Sequence, residues 1–147
     1  MNKILLIEDN QDYAFYAIES LKRSNADFFW ADTADKGLRL LQQEAPSILL
    51  LDINLPDRNG VDLIESIMAI APSIKVIMIS AYFTPENLVS SLKRGALECV
   101  DKDSPMEHLC CRIEEMMGES KNIHKLCQKI IPELSLLRST AMSRLIC

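Results

Sequence analysis

Three stretches of the chain are apolar almost without a break: KILLI (Lys3–Ile7), SILLL (Ser47–Leu51) and KVIMIS (Lys75–Ser80). A strand with one wet face alternates polar and apolar residues. Uninterrupted runs read instead as strands buried on both faces, the condition found inside a parallel sheet. DFFWA (Asp27–Ala31) is a further strand candidate and ALECV (Ala96–Val100) a weaker one. Helix-length segments separate the runs. Ala14, Ala17, Ile18 and Leu21 share one helical face; Leu38 and Leu41 mark a second helix within Ala34–Gln43; Leu63, Ile64, Ile67 and Met68 a third; Leu88 and Leu92 a fourth. Thr84 before Pro85 is a helix N-cap with proline at the first helical position. Ser104 to Glu107 fits a capping box with Pro105 at the first position, opening a fifth helix with Leu109, Ile113 and Met116 at helical spacing. Five β-α units in series predict an α/β protein with one parallel sheet, right-handed crossovers and helices on both faces.

That pattern covers residues 1–118, a single domain. The remaining residues, 119–147, read as an amphipathic helical extension. Ile123, Leu126, Ile130, Leu134 and Leu137 form an apolar stripe, and Lys121, Lys125 and Lys129 lie on another face, read as a solvated one. Pro132 is expected to kink this helix or to start another. The net charge of −5 divides into +3 for the extension and −8 for the first 118 residues, which argues against non-specific nucleic-acid binding by the whole chain. No run reaches the roughly 18 apolar residues of a membrane span, and the apolar N-terminal run is too short for a signal peptide, so a cytoplasmic protein is expected. The five cysteines, Cys99, Cys110, Cys111, Cys127 and Cys147, include no C-x-x-C pair and read as small buried hydrophobes in a reducing compartment. His108 and His124 read as surface residues.

Chemistry gathers where the strands end. In open parallel sheets the site lies beyond the carboxyl ends of the strands. There the chain places Glu8 and Asp9 after the first run, Asp52 after the third, Ser80 at the end of the fourth and Lys102 just past the fifth. Clustered carboxylates repel unless a cation intervenes, and hard oxygen ligands suit Mg²⁺. A carboxylate beside such an ion can attack phosphorus and form an acyl phosphate, with a hydroxyl and an ammonium holding the other phosphoryl oxygens.

These residues resemble the receiver domain of two-component response regulators, over about Lys3 to Met117. The acidic pair is present as Glu8-Asp9. The acceptor motif D-x-x-L-P-x-x-x-G is present as DINLPDRNG, the switch pair as Ser80-Ala81, and the lysine segment as GALECVDK. The resemblance implies a flavodoxin-like sheet of order 2-1-3-4-5 and Asp52 as phosphoacceptor. It implies Mg²⁺ (or Mn²⁺) held by Glu8, Asp9, Asp52 and the Asn54 backbone carbonyl, with Ser80 and Lys102 engaging the phosphoryl group. Ala81 leaves room for that group, and Tyr82 and the Asn54 side chain stand where the family tunes dephosphorylation. Pro56 stiffens the loop and Gly60 permits the close turn into the third helix. The implied partners are a sensor histidine kinase or phosphotransfer protein and a downstream protein target, with homodimerisation as one form of output. The active surface is expected near helix 4, strand 5 and helix 5. Beyond its own phosphotransfer and dephosphorylation no enzyme activity is implied, and with no helix-turn-helix domain in the sequence no direct DNA binding is expected.

Two positions depart from the family pattern. Cys99 stands three residues before the lysine, where the family usually carries the aromatic ring of its switch. Asp103 follows Lys102 in place of a proline joined through a cis bond, a bond that is costly before any other residue. Two other readings compete with the switch. One is a phosphorylation-independent interaction module working through the C-terminal helix. The other is a haloacid-dehalogenase-like hydrolase, which wants D-x-D where this chain has Asp52-Ile53-Asn54.

Overall fold

A computed structural model describes residues 2–22 and 24–118. The elements alternate strictly: β1 (Asn2–Ile7), α1 (Gln11–Ser20), β2 (Ala26–Ala31), α2 (Ala34–Glu44), β3 (Ile48–Asp52), α3 (Gly60–Ile70), β4 (Lys75–Ser80), α4 (Pro85–Arg94), β5 (Glu98–Asp101) and α5 (Met106–Met116). All strand pairs are parallel, in the order β2-β1-β3-β4-β5. This is the doubly wound, flavodoxin-like arrangement expected. Met1–Ser104 forms one compact unit; a second begins at Pro105, and α5 is its described helix, with Met106, Leu109, Cys111 and Ile113 buried. Among the described residues no helix is long and apolar enough to cross a membrane. The extension expected over residues 119–147, with His124 and the lysine stripe, lies outside the described residues.

The continuous apolar runs are explained by the sheet's two faces. Leu5, Leu49 and Val76 stand side by side in register, as do Ile7, Leu51 and Met78. These rows belong to one buried cluster with Leu41 of α2 and Leu63, Ile64 and Ile67 of α3. The alternate residues Ile4, Leu6, Ile48, Leu50, Ile77 and Ile79 are equally buried. Burial of that kind contributes roughly 1.5–3 kcal/mol per large aliphatic side chain, so the three central strands form a stiff platform. β2 and β5 are the sheet's edges and hold fewer fully buried residues.

Local chemistry sets the helix starts. Asn10, Thr33, Asn59 and Thr84 each accept a backbone N–H in the first turn of α1, α2, α3 and α4, satisfying donors that have no partner inside the helix. Asp57 adds a tether from the β3–α3 loop: its two carboxylate oxygens accept the backbone N–H groups of Ala34 (2.9 Å) and Asp35 (3.1 Å) at the start of α2. Those bonds, first that of Ala34, hold the Asp57 carboxyl below its ordinary pKa.

Two local expectations are corrected. The capping box at Ser104–Glu107 does not form: Pro105 is the N-cap of α5, without a side-chain cap bond, while Ser104 Oγ donates to the Asp101 carbonyl (2.5 Å) and closes the turn after β5. β5 runs over Glu98–Asp101 instead of Ala96–Val100. Gly95 adopts φ 124°, ending α4, and the Ala96 N–H donates back to the Ser91 carbonyl (3.0 Å), so Ala96 belongs to the turn. Leu88 and Leu92 mark α4 as expected, on a face turned away from the core. They are 39% and 47% exposed, with Val89 beside them at 50%, while Ser91 is the buried residue of α4.

Candidate functional site

The strand order reverses between β1 and β3, and the crevice beyond their carboxyl ends is where a ligand site is expected. Glu8 and Asp9 leave β1 there, and Asp52 is the last residue of β3. One carboxylate oxygen from each of the three lies within 4.8 Å of the others. Lys102 follows directly on the last residue of β5, and its side chain is drawn inward to these acids. Its Nζ pairs with Glu8 Oε1 and lies 3.1 Å from Asp52 Oδ2. The loop that carries it is anchored to β4, because the Lys102 N–H donates to the Ser80 carbonyl (2.8 Å), and every peptide among the described residues is trans.

The electrostatics follow from burial. Glu8 is fully buried and Asp52 is 2% exposed, whereas Asp9 is exposed. Burial, and then the neighbouring Asp52 carboxyl, push the Glu8 pKa from 4.5 up to about 8, against the opposing pull of Lys102. Burial alone lowers the pKa of Lys102, but its pairing with Glu8 and Asp52 outweighs this and raises it. Glu8 Oε2 is buried without a hydrogen-bond partner among the described residues. Two buried acids, an exposed third and one oxygen lacking a donor make a donor set that suits a hard divalent cation. Asp9 also lines a cleft of about 280 Å³ whose other walls come from the β3–α3 loop, including Asn54, Pro56 and Arg58.

The acceptor loop is tightly held. Asp52 Oδ1 accepts the Asn54 N–H (3.2 Å), Gly60 N–H donates to the Ile53 carbonyl (2.7 Å), and Asn54 and Asn59 form an isolated bridge. A β-carbon at Gly60 would stand 2.1 Å from the Asp52 carbonyl oxygen, so α3 can start this close to the acid only with glycine there.

Ser80 is fully buried at the end of β4, but its hydroxyl is engaged within its own turn: it donates to the Tyr82 carbonyl (2.9 Å) and accepts the Tyr82 N–H (3.2 Å). Ala81 and Tyr82 are exposed. Cys99 is half-buried in β5 beside Met78 in register, a free thiol that burial pushes up to about 11, with Ser91 opposing. It is therefore a protonated, small side chain where an aromatic ring was the family expectation.

Two aromatic residues near the acids were not legible as site residues. Lys102 Nζ lies 5.0 Å from the centroid of the Tyr13 ring, a cation–π contact from the first turn of α1. Trp30 Nε1 of β2 donates to the Glu8 carbonyl (2.8 Å). Tyr13 stands four residues after Asp9, a spacing that marks the first helical turn but no particular role. Trp30 carries no local signal at all.

Comparison with known proteins agrees with this geometry. The family model described as "Response regulator receiver domain" matches residues 4–114. The transcriptional regulatory protein MctR of Rhizobium johnstonii is 33% identical over 88 residues, covering 60% of this chain and 41% of the relative. The transcriptional regulatory protein CreB of Escherichia coli K12 is 25% identical over 121 residues, covering 80% of this chain and 52% of the relative. The chain thus spans about half the length or less of these curated relatives. Among solved structures, a CheY-like response regulator receiver domain protein from Methanospirillum hungatei JF-1 superposes with a TM-score of 0.76 at 30% identity, covering 83% of this chain and 98% of that one. With its parallel sheet of order 2-1-3-4-5 and its acids gathered at the β1/β3 crevice, this chain belongs to the response regulator receiver domain family.

Proposed function

We propose that this chain is a phosphorylation-controlled switch in which Asp52 accepts a phosphoryl group from a sensor histidine kinase or a relay phosphotransfer protein. The observation that carries this reading is the buried Asp52 carboxylate held between Lys102 and the two acids that follow β1. Glu8, Asp9 and Asp52, with the Asn54 backbone carbonyl, would hold Mg²⁺ or Mn²⁺. When bound, that ion supplies positive charge to the phosphoryl oxygens and offsets the carboxylates.

The chain's own groups do the rest. β3 fixes Asp52, and one of its carboxylate oxygens attacks phosphorus as the bond to the donor breaks, leaving an acyl phosphate. Lys102 exchanges its contact with Asp52 for one with a phosphoryl oxygen. Ser80 reaches the phosphoryl group only by releasing Tyr82, so occupancy of Asp52 remodels the turn between β4 and α4. Ala81, beside it, leaves space for the incoming group. Cys99 has no ring to swing, which places the readout on that turn and on α4. Leu88, Val89 and Leu92 give α4 an exposed apolar face for a downstream protein or a second copy of the chain.

The test is incubation with acetyl phosphate and Mg²⁺ followed by intact-mass spectrometry. Wild type is expected to gain one hydroxylamine-labile phosphoryl group and Asp52→Asn none. An Asp52→Asn protein that still acquires the label sinks the assignment.

A further inference from the structure

The metal acids sit on a very short connection, Glu8-Asp9-Asn10, between β1 and α1. Its far end is pinned by Asn10, which caps α1: its side chain accepts the Tyr13 N–H (3.1 Å) and its carbonyl accepts the Ala14 N–H (3.0 Å). Its near end is pinned by β2. The Glu8 N–H donates to the Ala31 carbonyl (3.0 Å), continuing the parallel ladder by one step. In a parallel ladder the next bond runs from the neighbouring strand's backbone to the Glu8 carbonyl. Here the Glu8 carbonyl instead takes the indole N–H of Trp30 (2.8 Å). The chain beyond β2 has turned away by then, and Thr33 is already capping α2.

That carbonyl belongs to the peptide joining Glu8 to Asp9. Peptides are planar, so fixing its orientation fixes where the Asp9 Cα leaves the strand, the point from which the Asp9 carboxylate reaches out. Asp9 is exposed, unlike Glu8 and Asp52, and lacks burial to hold it. The Trp30 ring is in turn braced by Phe15 of α1, edge to face at 5.4 Å between centroids. We infer that Trp30 is a positioning residue for the metal site: its indole N–H locks the Glu8–Asp9 peptide and so presents Asp9 to a divalent cation. This inference rests on the proposed Mg²⁺ site. A hydrogen bond one step behind the ligands is expected to change metal affinity by about tenfold.

The experiment is a Mg²⁺ titration of the full chain followed by backbone amide shifts in ¹H–¹⁵N NMR, well below the unfolding temperature. Trp30 is the sole tryptophan, so its indole resonance reports directly and should move with the same midpoint as the amides near Asp9. Trp30→Phe keeps a ring against Phe15 and removes the N–H; its Mg²⁺ affinity should fall about tenfold. Replacing Trp30 by benzothienylalanine, which keeps the fused-ring shape without the N–H, should give the same loss and serves if Trp30→Phe does not fold. Phe15→Leu loosens the brace, keeps the N–H, and should bind Mg²⁺ as wild type does. Unchanged affinity in both Trp30 variants overturns the inference and leaves the proposed function standing, and an equal loss in Phe15→Leu overturns it in favour of ring packing. Absence of any Mg²⁺ response in wild type overturns the proposed metal site and the inference with it.

Discussion

Glu8 offers the sharpest test of how the site's charges are balanced. Its carboxyl is fully buried and titrates near pH 8 in the folded protein instead of near 4.5. The cause is burial first and Asp52 second, with Lys102 opposing. A carboxyl whose pKa is raised on folding binds its proton more tightly in the folded state. Its contribution to stability is therefore fully present below about pH 4.5 and is lost as pH rises towards about 8. Each pH unit is worth about 1.4 kcal/mol, so the full loss is about 5 kcal/mol at most, of which about 3–4 kcal/mol falls between about pH 5 and pH 8. Urea unfolding with EDTA present, followed by circular dichroism, measures this. Wild type should lose stability steeply across that interval, and Glu8→Gln should lose much less and exceed wild type at the upper end. Comparing the two slopes removes the contribution of the other titrating groups. Added Mg²⁺ should restore wild type near pH 8 and do little for Glu8→Gln. Identical pH slopes in the two proteins would refute the view that Glu8 is a buried acid in need of a cation.

Two further outcomes are expected. Asp57→Ala removes two acceptors from the first turn of α2 and should cost about 1 kcal/mol, read as a shift in the urea midpoint. Leu88→Gln and Leu92→Gln should each change stability by less than about 0.5 kcal/mol, as exposed positions do, whereas Leu63→Ala should cost about 2–5 kcal/mol.

The course of the chain was legible because burial on both faces leaves a mark in one dimension. KILLI, SILLL and KVIMIS have no polar side to alternate with, and each became a central strand. The acids were legible for a related reason: Glu8 and Asp52 interrupt or end apolar runs, where a charge has no structural reason to be. Helix faces were harder. Leu88 and Leu92 share a face by spacing, but spacing does not say which way that face turns, and α4 buries Ser91 instead. A hydroxyl can accept or donate: in place of accepting a backbone N–H at the start of α5, that of Ser104 donates to the Asp101 carbonyl.

The sequence by itself determined the order of strands and helices, the five chemical groups that close the strands, and the family to which they point. Local periodicity and charge placement are properties of neighbouring residues, and they survive being read along a line. Only the tertiary structure decided that Lys102 pairs with both Glu8 and Asp52, that Ser80 is held by Tyr82, and that Trp30 reaches from β2 to the peptide between the two acids. The Lys102 and Trp30 bonds depend on distances between strands brought together by the crossovers, which no spacing along the chain encodes, and the Ser80 bond depends on how the turn after β4 closes.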